Sequence, residues 1–119
     1  MIILKDNYIK SFVDFLNKNF MIIDENVELE IMYGYETVGA EKNYGFGVYD
    51  TLNKKIYIAD LSMIAIEKEL TPQDIIRSTL ENIAHEFEHH IQNIKGKEFD
   101  ENEADMFAEN IVKEYMTLK

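Results

Sequence analysis

Thr71-Pro72-Gln73-Asp74-Ile75-Ile76-Arg77-Ser78-Thr79-Leu80-Glu81-Asn82-Ile83-Ala84-His85-Glu86-Phe87-Glu88-His89-His90-Ile91-Gln92-Asn93-Ile94-Lys95-Gly96 reads as one long helix with start and stop signals intact. Threonine caps the orphan N–H groups, proline is pre-set for the first helical position, and an acid suits the positive end of the dipole. Ile75, Ile76, Leu80, Ile83, Ala84, Phe87, Ile91 and Ile94 recur with the helical period, and Gly96 ends the run. This is the strongest helix in the chain, and the rest of the fold is read outward from it.

All three histidines of the chain fall inside this helix, in His85-Glu86-Phe87-Glu88-His89-His90, whose first five residues form HExxH. His85 and His89, four apart, project from one face and can grip one metal ion. Neutral imidazole suits zinc, and a zinc held by three protein groups keeps a fourth position for water. Glu86 lies about 100° round the helix, placed to reach that water rather than the metal. Metal and glutamate together then make a nucleophile at neutral pH. The competing reading is a solvated face rich in acid and histidine, and the charge of Glu88 favours it. His90 points about 100° away from His89 and reads as a surface or supporting histidine. Gln92 is either a cleft residue or a solvated one.

Downstream, a last helix starts near Asp100, with Ala104, Phe107, Ala108, Ile111, Tyr115 and Leu118 on one face. It offers carboxylates at Asp100, Glu101, Glu103 and Asp105. At about 100° per residue, Glu101 and Asp105 share one flank of the buried stripe and Glu103 falls on the other side. Glu103 also completes a D-x-x-E capping box with Asp100. Glu101 is therefore the expected third ligand, ahead of Glu103 and Asp105. Asp105, one turn on, is placed to accept the second N–H of a liganding histidine, with a plain surface acid as the alternative.

The stretch Glu101-Asn102-Glu103-Ala104-Asp105-Met106-Phe107-Ala108 is similar to the E-x-E-A-N-x-F-A signature of the ImmA/IrrE metallopeptidases. With HExxH before it, the chain resembles the glutamate-zincin arrangement. The resemblance implies zinc at His85, His89 and Glu101, Glu86 as the base, and cleavage of a regulator such as a repressor. Asp105 stands where the family usually has asparagine, and the gap from His89 to Glu101 is short for such proteins. Glu88 and His90 replace common small or apolar residues.

Upstream, Tyr8, Ile9, Phe12, Val13, Leu16 and Phe20 make Asp6 to Phe20 an amphipathic helix. Val27, Leu29, Ile31 and Tyr33 alternate with Glu28, Glu30 and Met32 as a half-buried strand. Gly34 to Asn43 reads as a loop. Tyr44 to Asp50 and Lys55 to Asp60 read as strands of a hairpin, and Leu61 to Leu70 as a short helical turn. Either hairpin strand is a candidate edge for pairing with an extended peptide. Gly45 and Gly47 permit close backbone approach or mark a bulge. Tyr115, Tyr57 and Tyr49 are candidates to steady an oxyanion, as is a bound metal alone.

The 119 residues, 46% apolar and 29% charged, suit one α+β domain spanning 1–119. The expected architecture is a minimal zincin-like one: an N-terminal helix, a small three-stranded antiparallel or mixed sheet, and the HExxH helix packed on the C-terminal helix. A net charge of −11 excludes general affinity for nucleic acid or anionic lipid, and a cation becomes the expected charged partner. With no cysteine there are no disulfides, thiolate sites or thiol nucleophiles. The start, Met1-Ile2-Ile3-Leu4-Lys5-Asp6, is too short in apolar residues for a signal peptide, and no apolar run reaches membrane-spanning length. A cytoplasmic location is expected. The reading is a zinc metallopeptidase with a protein or peptide substrate. Its rival is a non-catalytic metal-binding interaction module on the same fold.

Overall fold

The computed structural model describes residues 6–20, 28–32, 47–59 and 71–117. Their order is helix α1 (Asp6–Phe20), strands β1 (Glu28–Met32), β2 (Gly47–Asp50) and β3 (Lys55–Ala59), then helices α2 (Pro72–Ile94) and α3 (Glu101–Thr117). The architecture is α+β, as the residue pattern predicts. The predicted loop at 34–43, the turn at 61–70, and Val27, Tyr33, Tyr44–Phe46, Asp60 and Leu118 lie outside the described residues.

The three strands form a mixed sheet in the order β1-β3-β2. β3 runs parallel to β1, with Leu29 opposite Ile56, and antiparallel to β2, with Tyr49 opposite Ile56. The hairpin turn at 51–54 is organised by Asp50, whose Oδ1 accepts from the N–H groups of Leu52 and Asn53 at 3.0 and 3.2 Å. Such an Asx turn lets a side chain hold the loop's backbone N–H groups. These bonds, led by the one from the Asn53 side chain, hold the Asp50 carboxyl below the usual carboxylate range. The central place of β3 corrects one expectation. Over Lys55–Ala59 the strand is no peptide-pairing edge, because β1 and β2 occupy both its sides; among the described residues β2 is the outer strand of the pair.

α2 begins as the sequence predicts. Thr71 Oγ1 accepts from the Asp74 N–H at 3.1 Å, and Asp74 Oδ2 accepts from the Thr71 N–H at 3.2 Å, closing a capping box. At the far end the Lys97 N–H donates to the Gln92 carbonyl and the Gly96 N–H to that of Asn93, at 2.9 and 3.1 Å. With Gly96 at φ 70°, this is a Schellman stop. The chain reverses there, and α3 packs antiparallel along α2.

The core follows the predicted stripes. Ile9, Phe12, Val13 and Leu16 of α1, Ile56 and Ile58 of β3, Leu80, Ile83, Ala84 and Phe87 of α2, and Ala108, Ile111, Val112 and Tyr115 of α3 form one buried cluster. The Phe12 ring meets Tyr115 edge-on at 4.8 Å, an arrangement favoured by the ring quadrupoles. α2 thus has α1 and the sheet on one side and α3 on another. That leaves the flank bearing His85 and His89 beside the start of α3. Among the described residues, no helix is long and apolar enough to cross a membrane.

Candidate metal centre

His85, His89 and Glu101 come together, with one potential ligand atom from each lying within 4.8 Å of the others. The two rings meet edge to face at 4.8 Å, as the four-residue helical spacing requires. Glu101, in the first turn of α3, divides its carboxylate between them. Oε2 lies 3.1 Å from His85 Nε2 and Oε1 lies 2.8 Å from His89 Nε2. The imidazoles sit low while the carboxylate stands at the rim: side-chain exposures are 19%, 4% and 70%.

Each histidine spends its other nitrogen on an acceptor. His85 Nδ1 is 2.8 Å from Asp105 Oδ1, and His89 Nδ1 is 2.9 Å from Gln92 Oε1. Each Nδ1 thus has an acceptor to donate to, while each Nε2 faces the Glu101 carboxylate. Two imidazoles and a carboxylate so close call for positive charge, supplied by ring protons or by a cation among them. Two imidazoles and a carboxylate are a donor set for a divalent metal ion, and the cluster fits one.

Glu86 reaches the edge of this group, its Oε2 3.8 Å from His85 Nε2. The side chain is nearly buried. That burial is the main reason its carboxyl is pushed up to about 7; Glu101 adds repulsion, while His89 and a hydrogen bond from the Tyr49 backbone N–H pull the other way. The bond from Tyr49 turns the outer strand β2 toward Glu86. Gly47 makes this approach possible: a Cβ there would lie 2.9 Å from Ile58 Cδ1 and 3.3 Å from Glu86 Cγ.

Glu103 takes no part in the cluster. Its backbone N–H is capped by Asp100 Oδ1 at 3.0 Å, the first half of the expected capping box. The second half is not made. The Glu103 carboxylate accepts instead from Gln92 Nε2 at 3.0 Å and Lys97 Nζ at 3.1 Å, and the Asp100 N–H donates to Gln92 Oε1. Those bonds to Gln92 and Lys97 hold the Glu103 carboxyl below its usual range. Glu88, the charged residue inside the motif, is largely buried, and burial raises its carboxyl, with Glu103 adding to the rise and Lys97 and Lys95 opposing it.

The structure decides two placements left open by the sequence, those of His90 and Gln92, and adds one, that of Phe99. His90 is no surface residue: it is fully buried, and its Nδ1 is hydrogen-bonded to the Tyr49 hydroxyl at 2.6 Å. Phe99 stacks on His89 with centroids 4.5 Å apart and planes 20° from parallel. Its position in an irregular connection carries no periodic signal. Gln92 supports His89 directly, and the signal was its spacing, three residues on and on the same face. Of the tyrosines considered for an oxyanion, Tyr115 lies in the core against Phe12 and Phe15. Tyr57 lies under the Lys55 ammonium, and the Tyr49 hydroxyl is engaged by His90 and Asn93.

No protein-family model matches the chain, and no curated protein or solved structure matches it either.

Proposed function

We propose that the protein is a zinc-dependent peptidase that hydrolyses a peptide bond in a cytoplasmic protein, a regulator such as a repressor being the substrate suggested by its likeness to the ImmA/IrrE metallopeptidases. The observation that carries this reading is the convergence of His85, His89 and Glu101 from two helices beside a buried Glu86. The HExxH pair is met by a carboxylate from a second helix that contacts both imidazoles, the three-donor arrangement that a catalytic zinc takes.

His85, His89 and Glu101 would hold the ion, with Asp105 and Gln92 fixing the two rings. Zinc, when bound, supplies a Lewis acid that acidifies water and polarises a carbonyl. Glu86 is the proton carrier. Its carboxyl takes a proton from the attacking water and returns it to the leaving amine nitrogen, a task for which burial has already moved its affinity for protons toward neutrality. The outer strand β2 gives an extended peptide a backbone edge to pair with, and the Tyr49 N–H ties that strand to Glu86.

The test is to incubate zinc-loaded protein, purified without a histidine tag, with a mixed peptide library and read cleavage by mass spectrometry. The wild type is expected to cut and Glu86→Gln to retain zinc while losing at least about 100-fold in rate. A fully zinc-loaded wild type that cuts neither the library nor denatured proteins, or a Glu86→Gln variant that cuts at the wild-type rate, overturns the reading.

A further inference from the structure

We infer that Gln92 is a positioning residue of the metal centre, one amide that sets which nitrogen of His89 faces the ion and where α3 delivers Glu101. The inference rests on the metal-binding reading for its purpose, but its geometry stands on its own.

Gln92 is fully buried, and its amide has no spare capacity. Oε1 accepts from His89 Nδ1 at 2.9 Å and from the Asp100 N–H at 3.2 Å. Nε2 donates to the Asp100 carbonyl at 3.3 Å and to Glu103 Oε1 at 3.0 Å. An amide offers two acceptor lone pairs and two donor hydrogens, and all four are used.

The Asp100 backbone removes the usual freedom to flip the amide. Its N–H can only donate and its carbonyl can only accept, so Oε1 must lie on the N–H side, which is also the side of His89. His89 then carries a proton on Nδ1, and the neutral ring presents Nε2 as a lone pair. A backbone peptide on one side thus dictates a tautomer on the other, through a single side chain.

The same bonds locate the third ligand. Asp100 immediately precedes Glu101, and Gln92 grips it by both backbone polar groups. Glu103, two residues past Glu101, is held by the same Nε2. The main chain of Gln92 is fixed as well, its carbonyl accepting from the Lys97 N–H at 2.9 Å across the Gly96 turn. The short connection from α2 to α3 therefore works because Gln92 clasps both of its ends. The role demands an amide. Asparagine is one methylene too short. Glutamate keeps the two acceptor bonds, loses both donor bonds, and sets a second carboxylate against Glu103.

The experiment uses 15N-labelled, metal-free full chain in alkaline buffer, together with zinc titrations. The wild-type His89 ring is expected as the Nδ1-protonated tautomer by its 15N shifts. Gln92→Leu should populate the other tautomer and weaken zinc binding about 10- to 100-fold. Gln92→Glu should keep the tautomer yet melt at a lower temperature, which separates the orienting role from a merely structural one. Asn93→Ala, whose amide bonds the Tyr49 hydroxyl, should leave zinc affinity unchanged. An Nε2-protonated His89 in the wild type, or a Gln92→Leu variant that binds zinc as tightly as the wild type, overturns the inference. A wild type that takes up no zinc but shows the Nδ1 tautomer removes the metal reading while upholding the amide's hold on His89.

Discussion

Asp105 Oδ1 lies 2.8 Å from His85 Nδ1, one helical turn beyond Glu101. α3 thus contributes twice to the same histidine, Glu101 contacting one ring nitrogen and Asp105 the other. Such carboxylate partners fix the tautomer and strengthen the ligand. Asp105→Ala is expected to weaken zinc binding about tenfold, the low end of the usual range, because the carboxylate is well exposed. Asp105→Asn keeps an acceptor and should fall between the two. Isothermal titration with zinc checks both, and an unchanged affinity in Asp105→Ala removes the residue from the centre.

Glu101 and Glu103 make a matched pair for deciding the third ligand. Only Glu101 contacts both imidazoles, whereas Glu103 is spent on Gln92 and Lys97. Elemental analysis should find about one zinc per chain in the wild type and in Glu103→Ala, and none in Glu101→Ala. Glu103→Ala should instead melt slightly lower. Zinc retained by Glu101→Ala would require another carboxylate to replace it.

How far the sequence alone reached follows from the range of each interaction. α2 was legible to its caps because Thr71, Pro72, Asp74 and Gly96 act on their own backbone neighbourhood. The helical wheel sets Glu101 on the flank that faces His85 and His89, and the structure brings it beside both because α3 is regular and its buried stripe fixes its rotation. The central position of β3 was not legible: strand order is set by long-range pairing, and nothing in Lys55–Ala59 distinguishes a central from an outer strand. The burial of His90 was not legible for a related reason. Its neighbour across the core, Tyr49, lies 41 residues away, and only tertiary packing makes a buried histidine acceptable by giving it a partner. Gln92 stayed ambiguous because its meaning depends on Asp100 coming back to meet it.

The turn that brings α3 back depends on Gly96. Its φ of 70° lies in the left-handed region, while a Cβ there would meet nothing within 4 Å. Gly96→Ala therefore suffers backbone strain without a clash, about 1 kcal/mol, and should lower the melting temperature by about 4 °C or more. Zinc affinity should change little, because the variant can keep the same turn at that cost. A melting temperature equal to the wild type's would show that the turn relaxes at no expense.

Glu86 gives the metal-free protein a pH dependence whose sign can be worked out. Its carboxyl rises from an ordinary 4.5 to about 7 on folding, chiefly through burial. Between those values the folded chain binds more protons than the unfolded one, so stability falls as pH rises through that window and levels off above it. The full effect is about 3 kcal/mol at most. Glu88, raised in the same direction, contributes equally to wild type and to Glu86→Gln and cancels in their difference. Chemical denaturation of the metal-free proteins at several pH values from 4 to 8 is therefore expected to show Glu86→Gln gaining on the wild type as pH rises. Zinc should shrink that gap, since a cation beside Glu86 favours its ionised form. A difference that stays constant across the range would mean that Glu86 ionises as freely in the folded protein as in water.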